Sequence, residues 1–313
     1  MTDTIAICVC TCMRPKMLAA CLASLSQQRL PEDVSAYIVV IDNDPEGSAA
    51  DAVAAHSNAS PLLTFYISEP IRGIAKARNA ALDAVSAIGA DWVAFVDDDE
   101  IAAPDWVAGL MASEYRDTPV LAGPTVPIYP DDTPFWCLRT EKKLKPGEEG
   151  RQLLTATTGN VRFSSDLLRA GFRFNESLRL MGGEDQEFFS SAHKAGFTIR
   201  KSLKPIVYEL AHPERLTYRR QVARAYWCAA SDIRRDAILK GWWRTVRRKT
   251  HTVPFGIAFG TLEVIASPLF LPFGIDSFRR RALAGGKKMA KGIGRAAAMV
   301  GVIPQPYRVI DGN

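Results

Sequence analysis

The chain has 313 residues, 47% of them hydrophobic and 23% charged, which is typical of a soluble protein with one large domain or two modest ones. This composition excludes collagen-like, disordered and disulfide-stapled proteins. The net charge of +5 is unevenly distributed, because residues 1–199 hold 17 basic and 27 acidic side chains while residues 200–313 hold 22 basic and 7 acidic ones. The sequence therefore predicts an acidic N-terminal part joined to a basic C-terminal part.

The first residues do not match the pattern of a secretory signal, because they contain Asp3, no basic start and a short apolar run over residues 5–12. The six cysteines form no Cys-x-x-Cys pair, which fits a reducing compartment. Cys8, Cys10 and Cys12 alternate along a predicted strand, which favours packing over metal binding. We expect the protein to be cytoplasmic.

Short β-rich runs alternate with helical patterns over the first 115 residues. The patterns predict strands at 5–12, 36–41, 62–67 and 92–96, and helices at 15–28, 74–88 and 104–115. Strands that are apolar on both faces indicate a parallel sheet covered by helices. Such sheets bind ligands at the carboxyl ends of their strands, so the residues after each strand are the candidates for a site.

The rest of the chain is less regular. Residues 124–150 are predicted to form a long surface loop, either a substrate-gripping lid or a connector. A helix is predicted to begin at the sequence GGED (182–185), and a long basic helix over 213–250. Residues 253–275 are apolar except for Glu263 and are interrupted by Pro254, Pro268 and Pro272.

Four consecutive carboxylates, Asp97 to Glu100, follow the apolar strand at 92–96. Like charges packed at a strand end repel one another unless a cation lies among them, and Mg²⁺ or Mn²⁺ prefers oxygen ligands of this kind. A metal held there would bring a phosphate-bearing substrate with it. The alternative is a solvated acidic turn that starts the following helix.

Two further patterns fit a nucleotide. Asp42 ends the second strand, where an α/β sheet commonly reaches a ribose or base, although a simple Asx turn would look the same. Arg72, Lys76 and Arg78 surround a helix start that suits a diphosphate, although such charges are often just solvated. The sequence has no Gly-rich dinucleotide loop and no P-loop, which weakens dehydrogenase and kinase interpretations.

Taken together, Thr11 and Arg14, VVIDND with Asp42, Gly73 with Ala-Arg78-Asn79, VAFVDDDE and GGED resemble the family-2 glycosyltransferases of GT-A fold. These are inverting enzymes that use nucleotide-sugar donors. The chain is most similar within them to bacterial exopolysaccharide glucosyltransferases of the succinoglycan type. The resemblance covers about residues 4–215.

The resemblance implies roles for the nucleotide-sugar-binding residues. Asp42 would hold the uracil or ribose, Thr11 and Arg14 would line the nucleotide pocket, and Arg78 would lie near the diphosphate. Within the carboxylate run, the DxD motif would be Asp97 and Asp99.

In that motif Asp99 would contact Mn²⁺ or Mg²⁺, Asp97 would contact the ribose or the metal, and Asp98 would belong to the nucleotide-sugar pocket. His212 would be a further metal or phosphate ligand, although an exposed capping histidine would look the same.

Asp185 would be the general base that takes the proton of the acceptor hydroxyl, and Glu184 beside it would orient the acceptor. The start of a helix keeps such a carboxylate ionised, as single-displacement transfer requires. Ordinary first-turn charge is the alternative, and the glycine pair before it favours close approach of a substrate.

The basic region around Trp242 and Trp243 mixes aromatic and cationic residues directly before the apolar segment, a pattern that an anionic membrane surface recruits. RNA binding would leave the apolar segment without a use, so no nucleic-acid partner is expected. With three prolines and Glu263, residues 253–275 fit a re-entrant or in-plane segment better than a spanning helix. A buried helix pair is the remaining alternative.

We therefore predict an α/β protein of GT-A fold, with a mostly parallel central sheet flanked by helices and a basic, partly apolar helical tail. Residues 1–212 would form the glycosyltransferase domain, with a nucleotide-sugar-binding half (1–122) and an acceptor-binding half (123–212), and residues 213–313 a membrane-associated region. The predicted activity is transfer of a hexose, glucose from UDP-glucose by resemblance, to a polyprenyl-diphosphate-linked saccharide at the cytoplasmic face of the plasma membrane. The alternatives are a sugar nucleotidyltransferase and a catalytically silent scaffold.

Overall fold

The structure is a computed structural model that describes residues 2–138, 145–178 and 182–302. Residues 139–144 of the predicted loop and 303–313 of the predicted C-terminal region lie outside the described residues. The strands are β1 (Asp3–Thr11), β2 (Val34–Asp42), β3 (Thr64–Ser68), β4 (Trp92–Val96), β5 (Glu100–Ala102), β6 (Val120–Ala122), β7 (Thr125–Ile128), β8 (Gln152–Leu153), β9 (Asn160–Ser164), β10 (Ile199–Lys201) and β11 (Val207–Leu210). The α-helices are α1 (Pro15–Ser26), α2 (Ala50–Ala59), α3 (Ile74–Ile88), α4 (Trp106–Leu110), α5 (Asp166–Arg169), α6 (Glu184–Lys194), α7 (Pro213–Leu216), α8 (Tyr218–Lys240), α9 (Trp242–Lys249), α10 (Thr252–Ala266) and α11 (Ile275–Met299).

Eight strands form the central sheet in the order β3-β2-β1-β4-β9-β6-β10-β8. β1 to β4 run parallel, whereas β9 is antiparallel to both β4 and β6. A smaller sheet has the order β5-β11-β7, and its strand β5 begins at Glu100, the last residue of the acidic run that follows β4. The α/β architecture is confirmed, and the carboxyl ends of β1, β2 and β4 meet at one edge of the sheet.

Both faces of the central sheet are buried under helices. On β1, Ile5 and Ile7 pack with α1 on one face, and Ala6 and Cys8 pack with α3 on the other. Successive side chains along a strand point to opposite faces of the sheet. A strand that is buried on both faces therefore needs an uninterrupted apolar sequence. Cys8 and Cys10 share a face as predicted, but Cys12 lies beyond the end of β1.

Three predicted elements differ from the structure. The helix predicted at 104–115 is the short α4 followed by a 3₁₀ turn at Ser113–Tyr115, and the predicted loop at 124–150 contains β7. The basic helix predicted at 213–250 is three helices. Its first break is at Thr217, which has extended backbone and caps α8 by accepting a hydrogen bond from Arg220 N, and its second is at Gly241.

The C-terminal helices form a layered unit in which α8 packs on α11 and α11 packs on α10. Within the described residues, one helical stretch, Trp242–Phe273, is long and apolar enough to cross a membrane by length and composition, with a mean hydropathy of 1.6 over an 18-residue window. Large apolar side chains on this stretch are exposed, among them Phe255, Phe259, Ile265 and Leu269.

Candidate active site

The carboxylates at the end of β4 do not act as one cluster, because their partners differ. Asp98 is buried and accepts hydrogen bonds from Thr11 Oγ1 at 2.8 Å and Arg14 Nη1 at 3.0 Å. Glu100 turns back under the loop, where its Oε2 accepts a hydrogen bond from Asp97 N at 3.1 Å. Burial raises the pKa of Asp98 to about 6 and that of Glu100 well above its usual value. These two side chains stabilise the turn from within.

Asp97 and Asp99 line a cavity of about 530 Å³ at the carboxyl edge of the sheet. Asp99 Oδ2 accepts a hydrogen bond from Arg215 Nη1 at 2.7 Å, and Asp97 Oδ1 lies 3.8 Å from Arg78 Nη2. Lost hydration raises the pKa of Asp97 to about 7; Arg78 opposes this shift and repulsion from Asp99 adds to it. Because 48% of the Asp97 side chain is exposed, solvent screens these interactions.

Arg78 is the cation buried at the base of the cavity. It forms an ion pair with Glu184, lies 3.8 Å from Asp97, and has its Cζ 5.7 Å from the centre of the Phe174 ring. Its neighbouring carboxylates outweigh the cost of burial and keep the pKa of Arg78 above its usual value. The Arg78 guanidinium is therefore held in place by contacts on three sides.

Glu184 and Asp185, adjacent in sequence, have separate roles in the structure. Gly183 caps α6 with a φ of 92°, a conformation that favours glycine, and α6 then begins with Glu184 turned inward to Arg78. Asp185 instead lines the cavity, with its Oδ1 accepting a hydrogen bond from Gln186 N at 2.7 Å. Glu184 does not line the cavity, so its placement favours positioning of Arg78 over contact with an acceptor.

Asp42 lies behind the cavity wall and is fully buried. Its carboxylate accepts hydrogen bonds from Ala49 N at 2.7 Å, Tyr66 OH at 3.0 Å and Asp44 N at 3.2 Å. The next residue, Asn43, lines the cavity in its place. Direct contact between Asp42 and a nucleotide stays a prediction.

Asn43 fixes the loop between β3 and α3. Its Nδ2 donates to the carbonyl oxygens of Glu69 and Ile71 at 2.8 and 2.9 Å, and its Oδ1 accepts from Gly73 N at 2.8 Å. The same loop carries Arg72, which also lines the cavity.

His212 caps the short helix α7 and does not line the cavity. Its Nε2 is buried and has no hydrogen-bond partner among the described residues. Burial lowers the pKa of His212; Arg215 and Arg14 add to this shift, and Asp99 opposes it. The imidazole is therefore close to the acidic turn, and its metal contact stays a prediction.

Helix α8 forms a wall of the cavity that the sequence interpretation missed. Its contribution consists of Arg220, Arg224, Trp227, Cys228, Ser231, Asp232 and Arg235. Most of these positions recur at intervals of three or four residues, the spacing of one helix face. That spacing was readable in the sequence, but the helix had been assigned as a whole to a membrane-associated region.

The structure brings most of the predicted site residues to one place. Seven of the ten line the cavity: Thr11, Arg14, Arg78, Asp97, Asp98, Asp99 and Asp185. Gly159 lies close to the acidic turn, because a Cβ added there would be 3.0 Å from Glu100 Oε1 and 3.2 Å from Asp97 Oδ2. Glycine at this position lets β9 approach the acidic turn closely.

The sheet order and the carboxylate-lined cavity at its edge are those of the GT-A fold. Among solved structures of this fold, the mannosyltransferase PcManGT from Pyrobaculum calidifontis, in complex with GDP-Man and Mn2+, matches with a TM-score of 0.61 at 16% identity, over 95% of this chain and 88% of that one. S. aureus TarS 1-349, in complex with UDP-GlcNAc, matches with a TM-score of 0.50 at 15% identity, over 96% and 92%.

The chain belongs to glycosyl transferase family 2, whose family model matches residues 6–173, more than half of the chain. The succinoglycan biosynthesis protein ExoM of Rhizobium meliloti (strain 1021) is 35% identical over 205 residues, which make up 64% of this chain and 65% of that protein. The aligned part is thus less than two thirds of that relative. The family and the fold inferred from the sequence motifs are confirmed.

Proposed function

We propose that this glycosyltransferase transfers a hexose from UDP-hexose, with inversion, to a lipid-linked saccharide in exopolysaccharide or envelope polysaccharide synthesis. The observation that carries the proposal is the arrangement of Asp97, Asp99, Arg78 and Asp185 around one cavity. Asp185 is close enough to Asp97 for its charge to contribute to the raised pKa of Asp97. The donor and the acceptor would therefore react within the same cavity.

The donor nucleotide fits the side of the cavity formed by β1 and the loop after β2. Thr11, Arg14, Asn43 and Arg72 line this side, and Arg78 lies at its base. The guanidinium of Arg78 would contact the diphosphate and stabilise its charge as the bond to the sugar breaks. Asp42 would support the nucleotide pocket from behind through its hydrogen bond from Ala49.

The carboxylate oxygens of the acidic turn are suitable ligands for a hard divalent cation. Asp97 and Asp99 would hold Mn²⁺ or Mg²⁺, and His212, with its unpartnered Nε2, is the candidate for a third contact. No group of three or more His, Cys, Asp or Glu side chains in the described residues is arranged to hold a metal alone, so donor phosphate oxygens would complete the coordination. When bound, the ion neutralises charge on the departing diphosphate.

Asp185 is the candidate general base. It lies in the first turn of α6 and lines the cavity. An ionised carboxylate at that place would accept the proton of the acceptor hydroxyl as the oxygen attacks the sugar carbon. One displacement with one base inverts the anomeric configuration and needs no covalent intermediate.

The acceptor and the location are inferred from the relative and from the C-terminal helices. ExoM is named as a succinoglycan biosynthesis protein, which supports a polysaccharide role. Apolar side chains exposed on α10, together with exposed Arg244, Arg247 and Arg248 on α9, suit an anionic membrane surface. We therefore propose a polyprenyl-diphosphate-linked acceptor met at the cytoplasmic face of the plasma membrane.

Family membership favours sugar transfer over the nucleotidyltransferase alternative. The silent scaffold alternative differs from the enzyme in one testable respect, since a scaffold would not depend on Asp185.

The experiment separates donor binding from chemistry in the full chain. Calorimetry with UDP, with and without Mn²⁺, is combined with turnover on UDP-glucose, UDP-GlcNAc and GDP-mannose. Asp99→Ala should abolish metal-dependent UDP binding. Asp185→Asn should keep UDP affinity within a few-fold and reduce transfer by roughly 10²-fold or more, the scale of general-base removal.

Asp105→Ala is the matched control, because Asp105 is an exposed carboxylate that follows β5. It should change neither the UDP affinity nor the rate of transfer. Metal-independent UDP binding by Asp99→Ala would overturn the DxD assignment. Near-normal transfer by Asp185→Asn would move the base to another residue.

A further inference from the structure

One face of α8 is cationic and borders the cavity. Arg220, Arg224, Ser231 and Arg235 recur at helical spacing along this face, with Trp227 between them. Arginines four residues apart are neighbours on a helix and repel each other, so an anion between them is stabilising. The face therefore has the chemistry of an anion site.

The two ends of α8 are fixed to the two halves of the active site. Arg215, just before α8, donates to Asp99 at 2.7 Å, and Arg235 near its other end hydrogen bonds to Gln186, the neighbour of Asp185. From Arg224 to Arg235 the helix rises about 16 Å. The cationic face thus runs from the acidic turn to the candidate base.

Arg224 is the residue of this face that is available for a ligand. Its side chain is exposed at the cavity, and it forms no hydrogen bond or ion pair within the described ranges. A guanidinium presents a fork of donors that matches two phosphate oxygens. By contrast, Arg235 is paired with Asp232 at 2.8 Å and Arg215 with Asp99.

We infer that Arg224, together with Arg220 one turn earlier, binds the diphosphate that joins the acceptor saccharide to its lipid. This inference rests on the proposed function and adds the place of the acceptor's charged group. The opposite side of α8 packs on α11, and α11 packs on α10, whose outer face carries the exposed apolar side chains. The diphosphate would therefore lie on the cavity side of α8, with α11 and α10 between α8 and the surface that would hold the lipid chain.

The donor's own diphosphate is the rival occupant of these arginines. The test uses the full chain with three variants: Arg224→Gln removes the charge, Arg224→Lys keeps the charge without the fork, and Arg219→Gln changes an exposed arginine that does not line the cavity. Binding of farnesyl diphosphate, inorganic pyrophosphate and UDP is measured separately. Transfer is compared on a saccharide linked to farnesyl diphosphate and on its methyl glycoside.

Arg224→Gln should weaken farnesyl diphosphate binding by about tenfold or more, the scale of one lost charge-assisted hydrogen bond. Arg224→Lys should recover part of the loss. UDP affinity and transfer to the methyl glycoside should stay within twofold, and Arg219→Gln should match the wild type. The KM for the diphosphate-linked acceptor should rise in Arg224→Gln while kcat changes little.

An equal loss of UDP affinity would assign Arg224 to the donor and overturn the inference, as would unchanged farnesyl diphosphate binding. Pyrophosphate binding as tight as that of farnesyl diphosphate would overturn the lipid-linked source. A wild-type protein that binds farnesyl diphosphate through Arg224 but transfers no sugar would refute the proposed function and not the binding site.

Discussion

At the scale of single residues, the acidic turn shows how one sequence motif is divided by its surroundings. Asp98 and Glu100 are buried and hydrogen bonded within the protein, whereas Asp97 and Asp99 are half-buried. Asp98 still lines the cavity beside Asp97 and Asp99, and Glu100 does not. Sequence reasoning found the run because four adjacent carboxylates are unusual at a strand end. It could not divide them, because the partners Thr11, Arg14 and Arg215 come from distant parts of the chain.

The same limit applies to Asp42 and Glu184. Each was selected by its place at a strand or helix end, and each proves to be buried with partners inside the protein. The residue that takes each place at the cavity is the next one along the chain, Asn43 or Asp185. Motif spacing locates a site to within one residue, and side-chain direction depends on the packing around it.

A pH-dependent stability difference follows from the raised pKa of Asp97. Its carboxyl is protonated below about pH 7 in the folded protein and below about pH 4 when unfolded, so its contribution to stability is greatest at low pH. That contribution is lost as the pH rises through about 7. In Asp97→Asn the loss cannot occur, so without metal the variant should gain stability relative to the wild type between pH 5 and 8.

Urea unfolding in EDTA at pH 5, 6.5 and 8 measures this difference. Asp105→Asn, at an exposed carboxylate, should show the same pH dependence as the wild type. If the free energy of unfolding changed with pH in the same way in Asp97→Asn and the wild type, the pKa of Asp97 would not be raised in the folded protein.

At the scale of secondary structure, periodicity located the elements that are fixed locally. The bounds of α3 and β4 agree with the sequence prediction, because an Ala-rich amphipathic helix and an apolar strand each have a clear pattern. The small sheet β5-β11-β7 was not predicted, because strands of three or four residues in a proline-containing stretch have no period to detect. Its pairing also joins segments about a hundred residues apart.

Arg162 on β9 is a buried cation that the sequence did not single out. Its Nη2 donates to the carbonyl oxygens of Tyr115 and Thr118 at 2.9 and 2.8 Å, and its Cζ lies 3.8 Å from the centre of the Trp92 ring. Burial lowers the pKa of Arg162 to about 9. The side chain thereby ties the loop before β6 to the strand that lies beside β4.

Arg162→Met should lower the free energy of unfolding by about 2–4 kcal/mol, because two buried carbonyl groups lose their donor. Arg169→Met is the control: Arg169 is exposed and paired with Asp166 at 2.6 Å, so its loss should cost less than about 0.5 kcal/mol. Denaturant unfolding of both variants gives the comparison. Equal losses would mean that the buried guanidinium contributes nothing beyond an ordinary surface residue.

At the scale of the whole molecule, the acidic and basic parts of the chain meet at the candidate active site. Arg215 pairs with Asp99, Arg235 hydrogen bonds to Gln186, and Lys194 Nζ donates to the carbonyl of Leu239 at 3.2 Å. The net charges of residues 1–199 and 200–313 predicted an acidic part and a basic part from composition alone. It could not show that the basic part closes the cavity of the acidic part, because long-range packing leaves no periodic trace in the sequence.

Membrane association should depend on two contributions with different salt sensitivity. Exposed arginines on α9 would attract anionic lipid, and this attraction would weaken as the screening length falls from about 10 Å at 0.1 M salt to about 3 Å at 1 M. Phe255 and Phe259, stacked and more than half exposed on α10, supply an apolar contribution that salt does not remove. High salt should therefore release little of the wild-type protein from anionic vesicles.

Replacing both side chains, Phe255→Ser with Phe259→Ser, should convert this binding into one that high salt reverses, since the electrostatic attraction alone remains. Leu63→Ser is the matched control, because Leu63 is 58% exposed, as is Phe259, but lies before β3. Vesicle cosedimentation at 0.1 and 1 M salt compares the three proteins. If the double variant stayed bound at high salt as the wild type does, α10 would not be the membrane-facing element. If the wild type failed to sediment with vesicles at low salt, the C-terminal helices would not bind the membrane at all.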